Sequence, residues 1–163
     1  MSATPPTPPA FRIGIGYDSH RFAEGRRLVL GGVEIPSEQG LAGHSDADVL
    51  THAVIEALLG AAGLGDLGTH FPPGEDAWRD ADSLDLLRTV VGMLPGPVGN
   101  VDATVICEAP RLGPHRVEME ANLVQALGAP ASVKATTNEG MGFVGRGEGI
   151  AAIAVALVDP GPE

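Results

Sequence analysis

With 163 residues, 44% of them hydrophobic, the chain is long enough for one real core and too short to divide comfortably into two domains. Its 21 acidic residues outnumber 10 scattered basic ones for a formal net charge of −11, which argues against a nucleic-acid partner. A single cysteine excludes an internal disulfide framework and fits a reducing, cytoplasmic setting, and no apolar run approaches the ~20 residues of a membrane span.

Residues 1–10 have neither a basic start nor an apolar centre, so they read as a disordered Pro-rich tail rather than a secretory signal. One folded domain is expected over residues 11–159. Residues 11–17 alternate apolar and small side chains as a strand does, and residues 28–35 read as two short strands broken at Gly31-Gly32. Pro36 and Gly40 mark a loop. The clearest helix follows, with Ser45 as the expected N-cap and Asp48 three residues on. Leu50, Val54, Ala57, Leu58 and Ala61 recur at helical spacing until Gly63 and Gly65 end the run. Residues 66–81 are expected to be a loop, broken by Phe71-Pro72-Pro73-Gly74.

A second helix is expected over residues 83–94, stopped by Pro95-Gly96-Pro97. Next come a strand over 98–107 and a helix over 114–127 with Gly128 as its terminal glycine. Strands at 133–137 and 150–158, separated by a glycine-rich loop, complete the chain. This alternation predicts an α/β fold, an α+β sandwich with one mixed sheet and helices packed on one face. Aromatic residues are only 4% of the chain, so the core must be built from small aliphatics. Such a core suits helices packed closely on a sheet, or several subunits sharing one interior.

Four clusters carry chemistry. The first is Asp18-Ser19-His20, where the first strand is expected to end. Residues i and i+2 of an extended chain face the same side, so a carboxylate and an imidazole project together. The second runs from Gly43 to His52; on a helix His44, Asp48 and His52 would share one face at successive i+4 steps. An Asp and two His from two elements could give three ligands to Zn²⁺ and leave a fourth position open. Each part also has an ordinary reading. An isolated Asp-x-His is usually a surface pair, Asp46 and Asp48 answer the helix dipole, and His52 could be a core histidine.

The third cluster joins Lys134-Ala135-Thr136-Thr137-Asn138-Glu139 to the glycine-rich residues 140–149. Hydroxyls and glycine N–H groups suit phosphate oxygens, and Glu139 suits Mg²⁺; a flexible hairpin is the alternative. The Walker pattern is absent, because no Gly-Lys-Ser/Thr follows the glycines. The fourth, residues 109–115, is a turn into a helix whose backbone could edge a ligand. Cys107, in the apolar run Val105-Ile106-Cys107, reads as a buried small hydrophobe.

Taken in order, several segments resemble the 2-C-methyl-D-erythritol 2,4-cyclodiphosphate synthase family. They are Arg12-Ile13-Gly14-Ile15-Gly16-Tyr17-Asp18-Ser19-His20, Gly43-His44-Ser45-Asp46-Ala47-Asp48, Gly63-Leu64-Gly65-Asp66-Leu67-Gly68, Ala109-Pro110-Arg111, Lys134-Ala135-Thr136-Thr137 and Gly145-Arg146-Gly147-Glu148-Gly149. The resemblance runs over residues 12–158. The His-Ser-Asp-x-Asp and Gly-Arg-Gly-Glu-Gly motifs at this separation are its most specific part.

The resemblance implies a small α/β subunit of a homotrimer with active sites between neighbouring subunits. The implied reaction converts 4-diphosphocytidyl-2-C-methyl-D-erythritol 2-phosphate to the 2,4-cyclodiphosphate and CMP, in the non-mevalonate isoprenoid pathway. It places Zn²⁺ on Asp18, His20 and His52, and a second ion, Mg²⁺ or Mn²⁺, on Glu139. His44 and Thr137 become the transition-state stabilisers. Substrate contacts are implied for Asp18, Ser19, His20, His44 and Ser45, and, around the methylerythritol part, for Asp66, Leu67, Gly68, Phe71 and Glu75. Cys107, Ala109, Arg111 and Gly113, with Thr136, Thr137, Asn138 and Glu139, would border the cytidine and its phosphates. Phe143 and Arg146 match positions lining an axial cavity of the trimer, a place for isoprenoid diphosphates.

One departure stands out. Where the family has a Phe-Pro-Asp-like run, this chain has Phe71-Pro72-Pro73-Gly74-Glu75, which leaves the acidic contact to Glu75 or Asp76. Two other readings stay open on the residues. One is a zinc phosphohydrolase, with water in place of the 2-phosphate, and the other is a non-catalytic trimer that binds isoprenoid diphosphates.

Overall fold

The first strand, β1 (Arg12–Ala23), is longer than its sequence pattern predicts and carries Asp18 and His20 within it rather than past its end. The structure, a computed structural model, describes residues 11–162, so the expected tail at 1–10 lies outside the described residues. β2 (Leu28–Leu30) and β3 (Val33–Ile35) form a separate two-stranded hairpin. Gly31 and Gly32 make its turn at φ 57° and 69°, the left-handed backbone that a two-residue hairpin of this kind requires. The expected loop after Pro36 contains a short strand, β4 (Gly40–Leu41), paired with the end of β1.

Helix α1 (Val49–Ala62) begins three residues later than Ser45 predicts. Its N-cap is Asp48, whose side chain accepts from Thr51 N at 2.9 Å. The carboxylate wins because it sits one position before the helix and also accepts from Thr51 Oγ1. Residues 66–81 are not a plain loop. Asp66 caps a one-turn helix, α2 (Leu67–His70), and a 3₁₀ turn spans Asp76–Trp78. Then come α3 (Ser83–Met93), β5 (Val98–Ile106), α4 (Arg116–Leu127), β6 (Ala131–Thr136), the short α5 (Gly142–Gly145) and β7 (Gly149–Val158). α5 lies inside the stretch that the glycines mark as loop.

The main sheet has the order β4-β1-β7-β5-β6. β5 and β6 run parallel and every other pair is antiparallel, so the sheet is mixed. α1 packs on β1 and β7, α3 on α1 and α4, and α4 on β6, which gives the expected sheet with helices. Along β1, Gly14 and Gly16 face α1 and are buried, while Ile13, Ile15 and Tyr17 point the other way. A Cβ on Gly14 would lie 1.9 Å from Ala57 O, and one on Gly16 1.9 Å from Ala53 O. The helix backbone therefore touches the strand backbone, leaving no room for any side chain at these two positions. Leu50, Ile55, Leu58 and Leu59 of α1 are fully buried, each stabilising the fold by about 1.5–3 kcal/mol.

Candidate metal centre and substrate cavity

Asp18 and His20 sit two residues apart on β1 and so share the face turned toward the first turn of α1, where His52 is the fourth residue. Asp18 Oδ2 lies 2.9 Å from His20 Nε2 and 3.0 Å from His52 Nδ1, and the two ring nitrogens are 3.2 Å apart. Ligands on a tetrahedral Zn²⁺, each about 2.0–2.1 Å away, stand roughly 3.3 Å from one another. The triad thus has nearly the spacing such an ion needs. His20 Nδ1 is 2.6 Å from Ala42 O and must donate to it, so in the neutral ring Nε2 turns its lone pair to the site. Lone pairs gathered this closely repel unless a proton or a cation lies between them. Among the described residues this is the one cluster of at least three His, Cys, Asp or Glu with metal-ligand spacing.

With protons between these groups in place of a cation, the same spacing makes them ion pairs. Burial works to raise the Asp18 carboxyl, but hydrogen bonds and charge from His20 and His52 outweigh it and hold it well below the usual carboxylate range. Burial works to lower His20, and the Asp18 bond and charge with the Ala42 carbonyl reverse it, leaving the imidazole raised.

Asp48 takes no part. His44 precedes α1, so the i+4 row of His44, Asp48 and His52 does not form. The Asp48 carboxylate turns away, accepting from Gly31 N at 2.9 Å, Gly32 N at 2.8 Å and Thr51. It ties the β2–β3 turn to the start of α1. Burial, then the charge of Asp46, push its carboxyl above the ordinary value against these donors.

The open side of the triad faces a cavity of about 230 Å³ lined also by His44, Ser45, Glu56, Leu67, Gly68, Phe71, Pro73 and Trp78. Ser45 Oγ lies 3.2 Å from His52 Nε2, and His44 Nε2 lies 2.8 Å from the Glu75 carbonyl. Glu75 thus meets the site through its backbone, and Pro73 lines the wall where an acid was expected. The Asp66 carboxylate caps α2, accepting from Thr69 N and Oγ1, whose hydrogen bonds hold it below the ordinary value. Ser19 points to the opposite side of β1 from its neighbours Asp18 and His20.

The remaining site residues gather elsewhere. Cys107, Arg111, Gly113, Thr136 and Thr137 line a second cavity of about 590 Å³. Ala109 lies on a third, beside Val144 and Gly147. Cys107 donates its thiol to Ala109 O at 3.0 Å, and burial pushes that thiol up to about 11. Asn138 donates to Glu108 and to Met141 O, and Thr137 Oγ1 donates to Glu139 Oε1 at 3.4 Å. Glu139 holds φ 52°, Phe143 is 40% exposed, and Arg146 pairs with Glu148 at 2.7 Å. None of these residues lines the triad cavity.

Two contributors escape sequence reasoning. Glu56 stands one helical turn after His52, a spacing that could have found it, and its Oε1 accepts from Leu67 N at 2.9 Å. Ser83 reads as an ordinary helix opener, yet it is fully buried with Oγ 2.9 Å from His52 Nε2.

Known proteins share this chain's sequence and fold. The chain is 61% identical over 153 residues to the 2-C-methyl-D-erythritol 2,4-cyclodiphosphate synthase of Symbiobacterium thermophilum, covering 90% of this chain and 97% of that one. The bifunctional IspDF of Campylobacter jejuni superposes with a TM-score of 0.87 at 37% identity, over 91% of this chain and 42% of that longer one. The CDP complex of Plasmodium falciparum IspF gives 0.80 at 32% identity, over 94% and 98%. The YgbB family model matches residues 11–159, and the chain belongs to the YgbB family.

Proposed function

We propose that the chain performs the reaction its relatives are named for. It closes 4-diphosphocytidyl-2-C-methyl-D-erythritol 2-phosphate into the 2,4-cyclodiphosphate and releases CMP, a step of non-mevalonate isoprenoid synthesis. The observation that carries this reading is the convergence of Asp18, His20 and His52 at one cavity with His44 and Ser45. An oxygen of the 2-phosphate forms a bond to the β-phosphorus, and the bond from that phosphorus to the bridging oxygen breaks. The bridging oxygen keeps the electron pair and leaves with CMP.

Asp18, His20 and His52 would hold Zn²⁺ and Glu139 would hold Mg²⁺ or Mn²⁺, and the ions would supply the positive charge that a phosphoryl group needs as it transfers. The chain's own residues bind and orient. His44 and Ser45 hold the reacting phosphates, Asp18 and His20 meet them through the bound ion, and His44 and Thr137 answer the charge that develops between nucleophile and leaving group; Ser19, on the other side of β1, has no contact there. Asp66, Leu67, Gly68, Phe71 and Glu75 enclose the methylerythritol. Cys107, Ala109, Arg111, Gly113, Thr136 and Asn138 border the cytidyl group. Holding both phosphates in a ring-closing pose lowers the entropic barrier, by about 7–11 kcal/mol at most. Covalent catalysis by the single thiol has no support, because Cys107 stays protonated at neutral pH.

The catalytic unit of this proposal is one domain over 11–159 in a cytoplasmic homotrimer. Two observations support the assembly. The triad and the Thr136–Thr137 residues line different cavities of one chain, as a site completed by a neighbouring chain would have them. The sheet face away from the helices exposes Phe11, Ile13, Ile15, Tyr17, Ile153 and Val155. In the trimer Phe143 and Arg146 line an axial cavity that takes an isoprenoid diphosphate. No helix among the described residues is long and apolar enough to cross a membrane.

Phosphorus NMR of the purified protein with Mg²⁺ and the cytidyl substrate tests the reaction. Mutually coupled signals of a cyclic diphosphate, appearing with CMP, are expected. Release of inorganic phosphate would replace the synthase with a hydrolase, and an unchanged spectrum with metal bound would overturn catalysis altogether.

A further inference from the structure

Behind the triad, on the edge of the His52 ring that carries Nε2, lies a polar chain that the reaction does not use. Ser83 Oγ is 2.9 Å from His52 Nε2. The same hydroxyl donates to Asp46 Oδ1, and Ser83 N donates to Asp46 Oδ2 at 2.9 Å. Asp46 Oδ1 also accepts from Asp48 N at 3.1 Å. Three elements meet here: α1 through His52, the segment before it through Asp46, and α3 through Ser83.

Proton counting fixes the direction of this chain. An ionised carboxylate only accepts, so the Ser83 hydroxyl proton goes to Asp46 and the Ser83 oxygen turns its lone pairs to His52. His52 Nε2 then carries the ring proton, and Nδ1 carries the lone pair that points at Asp18 and His20. The hydroxyl is not needed to start α3, because Asp82 caps that helix by accepting from Leu84 N at 2.8 Å. Ser45 Oγ also approaches Nε2, at 3.2 Å, while accepting from Ala47 N at 3.3 Å. With the His52 proton taken by Ser83, the Ser45 hydroxyl keeps its own proton for an anion in the cavity.

We propose that Ser83 and Asp46 are positioning residues of the metal centre, locking His52 in the tautomer that presents Nδ1 to a divalent cation. The inference rests on the reading of Asp18, His20 and His52 as a metal site. Ligand histidines commonly donate their second N–H to such a partner, which sets ring orientation and basicity. Here the partner is a neutral hydroxyl backed by the half-buried Asp46 carboxylate, in place of a direct carboxylate.

The test compares wild type with Ser83→Ala, and with the equal-shaped pair Ser83→Thr and Ser83→Val, by Zn²⁺ competition against a chelator of known affinity. Co²⁺-substituted samples supply visible spectra, and circular dichroism checks the fold. Ala and Val should weaken Zn²⁺ by about 10–100-fold and alter the Co²⁺ bands, while Thr stays near wild type. Should Ser83→Ala not fold, the Thr and Val pair decides alone. Ala and Val within twofold of a tight-binding wild type would overturn the positioning role and leave the metal site standing. A wild type that holds Zn²⁺ no better than Asp18→Asn would instead overturn the metal site itself, and the positioning role with it.

Discussion

The two halves of the proposed active site are built differently. The triad half rests on the longest strand and on the first turns of the most buried helix, and each imidazole is held on its far edge: His20 by Ala42 O, His52 by Ser83. The other half, from Thr136 to Arg146, is largely exposed and bonds mostly within its own turns, as Thr137 does with Glu139 and Arg146 with Glu148. A metal centre needs its lone pairs aimed before the ion arrives, and only packed elements fix them that well. Under the proposed reading, a region that grips flexible phosphates beside a neighbouring subunit can stay open until the ligand and that neighbour complete it.

Substitutions can break this contrast. The largest effect is expected from Asp18→Asn or His52→Ala, which remove a ligand and should weaken Zn²⁺ by more than about 100-fold while abolishing cyclisation. Zinc per chain and circular dichroism check it; full activity in a metal-depleted variant would refute the ligand set. In the open half, Glu139→Gln or Thr137→Ala should lower kcat by about 10²–10³-fold with zinc content unchanged. Loss of zinc in these variants would mean that the halves are not separate. Co-refolding the inactive Asp18→Asn and Glu139→Gln chains sharpens the point. If neighbouring subunits supply the two halves, mixed trimers should recover about a quarter of the sites. No recovery would assign both halves to one chain.

A smaller effect tests the scaffold. Gly16→Val drives a side chain into Ala53 O and should cost about 3 kcal/mol, read as a lower denaturant midpoint, with zinc affinity falling too. Ile15→Val, one residue away on the open face, should change monomer stability by less than about 0.5 kcal/mol. Another small effect belongs to Asp102, which bonds Lys134 and Ser132 and joins β5 to the strand leading into Thr136. The Lys134 hydrogen bond, then that of Ser132, holds its carboxyl below the usual range. Its contribution is therefore fully present above the unfolded value of about 3.9 and lost as pH falls through the lower folded one. Because the pair is exposed, Asp102→Asn should remove under about 1 kcal/mol at neutral pH and flatten stability in that acid window, as urea titrations would show.

Much of the site was legible because strand periodicity is local: Asp18 and His20 share a face wherever an extended chain carries them. Helix α1 was legible from its apolar spacing, but its start was not. Ser45 fits the capping pattern, yet Asp48 reaches four donors, two of them on the β2–β3 turn, and that competition is settled by contacts made from 16 to 17 residues away. The same holds for α2 and α5, whose short turns sit in stretches rich in glycine or beside proline. There local propensity favours a loop, and only capping and packing choose otherwise.

By itself the sequence determined the alternation of strands and helices, the chemistry of Asp18, His20 and His52, and the family motifs, because each depends on residue type and near spacing. Tertiary structure alone decided that Gly14 and Gly16 let α1 sit directly on β1, bringing a helix histidine to within about 3 Å of strand ligands. It also placed Ser83, 31 residues beyond His52, against the far edge of that ring. Such placements arise where elements distant in sequence bury a shared surface, and no local pattern encodes which side chains will meet there.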